Sequence, residues 1–155
     1  MSVWRWRVAL VVWMGLIFLT SSSLFAPQMA SDGTEQWFGS LNYVARKLAH
    51  IGEYAILTYF WLRGTWTVTH RFRFRLAWSA ALSVLYAATD EYHQSLVPQR
   101  DGVWTDVVWD AAGALAAVCI LWWIYRYGAA ECRRRALGAL ALTPQSSHFT
   151  QGARQ

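Results

Sequence analysis

Thr89-Asp90-Glu91-Tyr92-His93-Gln94, followed by Pro98-Gln99-Arg100-Asp101 and then by Asp106 and Asp110, decides how this chain is read. Four aspartates, a glutamate, a histidine and an arginine stand between two apolar runs. Upstream, 76–88 is apolar except for Ser79 and Ser83; downstream, 111–123 holds no ionisable side chain but the Cys119 thiol. Charges in such surroundings are costly in lipid, so they face a protein interior or a wet cavity and mark a site.

Composition points the same way. Of 155 residues, 55% are hydrophobic and only 15% charged, against about a quarter charged in a soluble domain. Eleven tryptophans suit a protein whose ends lie at bilayer interfaces. The net charge of +5 does not indicate nucleic acid, because the arginines bunch at the ends of apolar runs without an aromatic–basic recognition motif. Cys119 and Cys132 form no metal-ligand pattern and no disulfide framework.

Working outward, the chain divides into four apolar segments. The first, 6–25, follows the basic aromatic collar Trp4-Arg5-Trp6-Arg7 and closes at Pro27; it is long enough for one span. A rival reading is a cleaved signal peptide, since Ser23-Leu24-Phe25-Ala26 resembles a cleavage site. The connection 28–42, with Asp32, Gly33 and Glu35, reads as a polar loop. The second segment, 43–62, carries Arg46, Lys47, His50 and Glu53 in its first half. Lys47, His50 and Glu53 recur every three residues and so form one slanted stripe on a helix. The third segment, 76–97, holds the acidic stretch in its last third. The fourth, 103–125, has Asp106 and Asp110 one turn apart on one face. The reading is therefore an all-α, integral membrane four-helix bundle over 1–127, with a cytoplasmic, mostly disordered tail over 128–155. Within that tail, 133–142 suits a short amphipathic helix on the inner membrane surface.

Short loops rich in lysine and arginine stay in the cytoplasm. The basic segments 4–7, 63–75 and 126–135 alternate with an acidic connection at 28–42 and a nearly neutral one at 98–102. Both termini then lie inside. That orientation carries Lys47, His50 and Glu53, Asp90, Glu91, His93 and Gln94, and Asp106 and Asp110 to the same outer depth, with Arg100 and Asp101 above them. One polar pocket with an excess of acid, open to the extracytoplasmic face, is the expected result.

These residues also resemble a known pattern. Arg46-Lys47-Leu48-Ala49-His50-Ile51-Gly52-Glu53-Tyr54, then Asp90-Glu91-Tyr92-His93-Gln94, then Pro98-Gln99-Arg100-Asp101, then Asp106 and Asp110 with Gly113, is similar to the VanZ-like membrane protein family over roughly 38–117. The four motifs are specific when they occur together. The family is named for a member linked to low-level resistance to the lipoglycopeptide teicoplanin. The resemblance implies a bacterial inner or plasma membrane protein and a functional cluster of Lys47, His50, Glu53, Asp90, Glu91, Gln94, Arg100, Asp106 and Asp110. It leaves the cofactor unknown.

Several functions fit that cluster. A binding or modifying site for an outer-leaflet amphiphile, a lipid-linked envelope precursor or a lipid-tailed antibiotic, would use Lys47 and Arg100 for a phosphate or carboxylate and the acids for amines or hydroxyls, with the tail against Trp104 and Trp109. An intramembrane enzyme would use His50 and Glu53 with Asp90, Glu91 or His93 as general base or metal ligands, although no HExxH motif occurs and neither Ser95 nor Thr105 is marked as a nucleophile. An ion-coupled carrier would need a relay through the inner halves of the helices, where no ionisable side chain continues the path. The plainest alternative is structural, a polar clasp that locks the helices together.

Overall fold

The computed structural model describes residues 3–21, 35–65, 71–96 and 104–137. These form five helices and, among the described residues, no strand: α1 (Val3–Ser21), α2 (Glu35–Gly64), α3 (Phe72–Ser95), α4 (Thr105–Tyr127) and α5 (Ala130–Leu137). The chain divides into a unit over 1–118, which holds α1 to α3 and the start of α4, and a second unit over 119–155.

Two helices, α1 and α4, are long and apolar enough to cross a membrane; the reading of four spans expects two more. α2 and α3 carry the ionisable residues of the cluster and do not meet that measure. Little of α1 or α4 is covered: Val8, Val11, Val12 and Leu16 of α1, and Val108, Leu115, Ile120 and Trp123 of α4, are exposed.

The start of α2 corrects one expectation. Residues 35–42, expected in a loop, are helical. No proline interrupts 28–64, and Trp37, Phe38, Leu41 and Val44 continue the helical apolar spacing back from the second segment. At its other end α2 stops at Gly64, where Thr65 returns both its backbone N–H (2.9 Å) and its hydroxyl (2.7 Å) to the Trp61 carbonyl.

α3 begins in what was expected to be a basic loop, because Arg75 is packed rather than solvated. It is 2% exposed, and its Nη2 donates to the Leu62 carbonyl at 2.6 Å. Leu62 lies in the last turn of α2, where carbonyls lack helical partners and the negative end of the dipole favours a cation. Arg7 Nε reaches the Gly64 carbonyl beside it at 3.3 Å. Two arginines from neighbouring helices thus close the C-terminus of α2.

From Arg75, the buried face of α3 runs through Leu76, Ser79, Ser83 and Ala87 to Asp90. Small residues four apart let two backbones approach. The hydroxyls on this seam are satisfied locally: Ser79 donates to the Arg75 carbonyl (2.7 Å) and Ser83 to the Ser79 carbonyl (2.9 Å). Thr58 of α2 completes it by donating to Ser83 Oγ at 2.9 Å.

Paired contacts fix the helix directions. Between α1 and α2, Arg7 meets Gly64 and Trp13 Nε1 donates to the Glu53 carbonyl at 3.1 Å, so these two are antiparallel. Between α2 and α3, Leu62 meets Arg75 and Thr58 meets Ser83, again antiparallel. Tyr86 Oη donates to the Met14 carbonyl at 2.6 Å and Ser21 Oγ to Asp90, which makes α1 and α3 parallel. α2 and α4 are parallel too, with Lys47 beside Asp106 and His50 beside Asp110. Directions therefore alternate along the chain. The apolar centre between the two polar ends is Leu10, Ile17, Tyr54, Leu57 and Ala87, with Trp13 and Phe60 packed on it.

In the second unit, the expected tail carries α5 at 130–137, within and just ahead of the 133–142 stretch. It is held by exposed i,i+3 and i,i+4 pairs from Glu131 to Arg134 (3.1 Å) and Arg135 (2.9 Å), which contribute a few tenths of a kcal/mol each, about 0.3–0.5. The tail expected to be mostly disordered over 128–155 is thus helical at 130–137, and its remainder, 138–155, lies outside the described residues.

Candidate functional site

The cluster is assembled from helix registers. On α2, Lys47, His50 and Glu53 advance one side chain per turn; on α4, Asp106 and Asp110 do the same. Because the two helices are parallel, the rows meet in step. Lys47 Nζ pairs with Asp106 Oδ1, and His50 Nδ1 donates to Asp110 Oδ1 at 2.9 Å. Asp106 also sits in the first turn of α4, where a carboxylate is favoured by the helix dipole. Asp110 is 2% exposed; a carboxylate buried so far requires a partner, and His50 supplies it.

Gly113 allows this fit. A Cβ there would lie 2.9 Å from both the Ile51 Cα and its carbonyl carbon, and would overlap the Ile51 oxygen. The α4 backbone rests on the α2 backbone at this point, one turn below the His50–Asp110 pair. Only a residue without a side chain permits that approach.

A second polar group joins α3 to α1. Asp90 is 3% exposed. Its Oδ2 accepts from Ser21 Oγ (2.7 Å) and from Gln94 Nε2 (2.9 Å), and Gln94 Nε2 also lies 3.3 Å from Ser21 Oγ. Its other oxygen, Oδ1, is buried without a hydrogen-bond partner, and so is the Tyr54 hydroxyl. Glu53 joins the two groups: it stands within electrostatic range of His50, Asp110 and Asp90.

Glu91, 3% exposed, lies about 100° around α3 from Asp90, so it does not share that side chain's face. His93 packs its ring on Phe18 at 4.4 Å between centroids. Arg100 and Asp101 lie outside the described residues, as does the Arg46 side chain. The structure thus brings together Lys47, His50, Glu53, Asp90, Gln94, Asp106 and Asp110 at one end of the first unit. At the other end stand Arg7, Arg75 and Arg63, whose guanidinium lies 4.4 Å over the Trp6 ring.

Three participants escaped the sequence reading. Ser21 is one of three consecutive serines, and nothing in the run distinguishes the one that faces Asp90. Tyr54 looks like an apolar continuation of the second segment. Arg75 looks like one more loop arginine. A signal for Ser21 did exist, since alternating helix directions bring the end of the first segment to the level of Asp90.

Chemically, the site offers a histidine whose Nδ1 is engaged by a carboxylate, leaving Nε2 as its basic nitrogen, one lysine, and an excess of acid. Among the described residues, no group of three His, Cys, Asp or Glu side chains is placed to hold a metal ion.

A family model described as VanZ/LLP1 matches residues 6–125, a range that takes in every member of the cluster. No curated protein and no solved structure matches the chain.

Proposed function

The chain belongs to the VanZ/LLP1 family, and from that premise we propose a multi-pass protein of the bacterial inner or plasma membrane, with four spans and both termini inside, whose acid-rich end faces outward and binds or modifies an outer-leaflet amphiphile. A lipid-linked envelope precursor and a lipoglycopeptide such as teicoplanin are the ligand types considered, and the family's link with glycopeptide resistance makes altered antibiotic susceptibility the natural phenotype.

The observation that carries this reading is the separation of charge along the first unit. Lys47 and Gly64 mark the two polar levels on α2, and the rise between them is about 26 Å, close to the roughly 30 Å of a bilayer's hydrocarbon core. Exposed apolar side chains occupy the interval, including Ile56 on α2, Trp78 and Leu85 on α3 and Leu115 on α4. So much exposed apolar surface suits lipid. Arginines at the Gly64 level suit the cytoplasmic side. α1 belongs to this arrangement, since it buries Leu10 and Ile17 and bonds Asp90 through Ser21; both favour its retention over removal as a signal peptide.

The test is native mass spectrometry of the full chain extracted gently from its own membrane, paired with antibiotic susceptibility of the producing cells. A co-purifying envelope lipid that is lost in Lys47→Ala or Arg100→Ala supports an outer-leaflet site. Unchanged lipid retention and unchanged susceptibility in both variants would sink it.

The His50–Asp110 hydrogen bond favours a second reading, an intramembrane acid–base enzyme. A carboxylate that orients an imidazole through Nδ1 is the arrangement of a general base, and Glu53 stands one turn further along α2. On this reading Asp110→Asn and Glu53→Gln abolish turnover of a retained lipid while leaving it bound. Retention without chemical change in the wild-type protein would dismiss the enzyme and leave the binding site.

A further inference from the structure

We propose that the buried Asp90 Oδ1, with the Tyr54 hydroxyl in its neighbourhood, takes the protonated primary amine of a ligand. The inference deepens the outer-leaflet reading and rests on it.

The argument begins with an imbalance at Asp90. Both donors to its Oδ2, Ser21 and Gln94, are neutral, whereas Asp106 and Asp110 each have a basic partner in Lys47 and His50. Asp90 Oδ1 accepts nothing although it is buried. A buried carboxylate oxygen without a donor is costly, and native structures supply one from protein, water or ligand.

The second observation is independent of the acids. Tyr54 is 1% exposed and its hydroxyl has no partner, while its surroundings include Asp90, Asp110 and Glu53. A phenol among carboxylates would bond one of them if it reached. Tyr54 and Asp90 are thus two buried side chains within electrostatic range of each other, each with a polar atom that no hydrogen bond engages.

The chemistry of that group follows from what it must satisfy. Asp90 Oδ1 requires a donor, and the unbalanced charge favours a cationic one. An ammonium carries three donors on a compact charge, enough for Asp90 Oδ1, the Tyr54 oxygen and one further acceptor. A sugar hydroxyl supplies one donor and no charge. A divalent metal finds no set of three ligands among the described residues. A trimethylated ammonium has no N–H to give. Asp90 lies about 8 Å along α3 from its end at Ser95, within the reach of a short aminoalkyl headgroup entering from that end. A lipid headgroup and a free small amine both carry this chemistry, and the experiment separates them.

The full chain is reconstituted in nanodiscs of phosphatidylglycerol containing equal trace amounts of phosphatidylethanolamine and phosphatidylcholine, and retained lipid is counted by native mass spectrometry. The expected result is a preference for phosphatidylethanolamine of about tenfold or more, the worth of one charge-assisted hydrogen bond. Asp90→Asn should abolish it, and Tyr54→Phe should reduce it several-fold while the protein melts as before, because the hydroxyl it removes bonds nothing. In a second arm, a rise in melting temperature with free ethanolamine that depends on Asp90, without any lipid preference, would assign the site to a soluble amine. Equal retention of the two lipids with no effect of ethanolamine overturns the proposal, as does a preference that survives both substitutions. If the lipids are equal but Lys47→Ala still strips a lipid from the protein, the outer-leaflet pocket stands and only its amine specificity fails.

Discussion

Replacing Gly113 by alanine tests the point on which the α2–α4 pairing rests. The added Cβ would lie 2.9 Å from the Ile51 Cα and carbonyl carbon, whereas carbon atoms pack at about 3.5–4.0 Å. α4 must then withdraw by about 0.6–1.1 Å, or Ile51 must shift as far. Overpacking of that size costs about 1–3 kcal/mol. Alanine is also the better helix former by about 1 kcal/mol, so the substitution alone mixes two effects of opposite sign. Gly52→Ala separates them. Gly52 lies in α2 next to Ile51, and a Cβ there would meet nothing within 4 Å, so this variant gains helix propensity without a clash. The difference in stability between the two variants isolates the clash, about 1–3 kcal/mol, or several degrees in thermal midpoint for a chain of this size. Thermal unfolding of the purified, detergent-solubilised chain measures it. Withdrawal of α4 should also loosen the His50–Asp110 pair, so Asp110→Asn should cost less in Gly113→Ala than in the parent. If both glycine variants shift the midpoint equally, and Asp110→Asn costs the same in each background, the close approach of α4 to α2 is refuted.

Ser21→Ala removes a donor from the buried Asp90 carboxylate and should destabilise by about 1–3 kcal/mol. Gln94→Ala acts on the same oxygen, so a double-mutant cycle should show a coupling of at least about 0.5 kcal/mol, and strict additivity would deny the shared partner. Arg75→Met keeps the packed stem but strips the cation from the end of α2, with an expected cost of about 1–3 kcal/mol in a denaturation midpoint; no loss would mean that the Leu62 carbonyl needs no such donor. Thr58→Val severs the hydroxyl bridge to Ser83 and should cost about 0.6–1.7 kcal/mol, the range for such bonds between membrane helices. On the four-span reading, a membrane-impermeant thiol reagent should label the exposed Cys132 only after cells are opened, and labelling of intact cells would reverse the proposed orientation.

Much of this organisation was legible in the residues because charge is so sparse. In an apolar chain each ionisable residue must be placed, and the spacing of Lys47, His50 and Glu53 against that of Asp106 and Asp110 already implies two matching rows. Alternating basic and acidic connections likewise imply alternating helix directions, which the paired contacts of α1, α2, α3 and α4 display. Partnership was not legible. Nothing in the sequence tells Asp90 from Asp110, yet one is held by neutral donors and the other by a histidine. The roles of Ser21 and Arg75 depend on which face of a helix meets a neighbour, and a one-residue change in helix phase would exchange Ser21 for Ser22. The early start of α2 was obscured because Asp32, Gly33 and Glu35 resemble a turn, while the continuation of apolar spacing through Trp37 and Leu41 is weaker than the signal that follows it.

The parallel alignment of α2 with α4 has a consequence for the order of assembly. Two helices that run the same way cannot be joined by a hairpin; the chain must first return through α3. Lys47 and His50 therefore wait for partners 59 and 60 residues later in synthesis. Until α4 arrives, neither has the aspartate it faces in the finished protein. α4 itself, apolar along most of its length, seats last and neutralises them as it docks on Gly113. A chain truncated before Asp106 would have most of its packed core and none of these pairs.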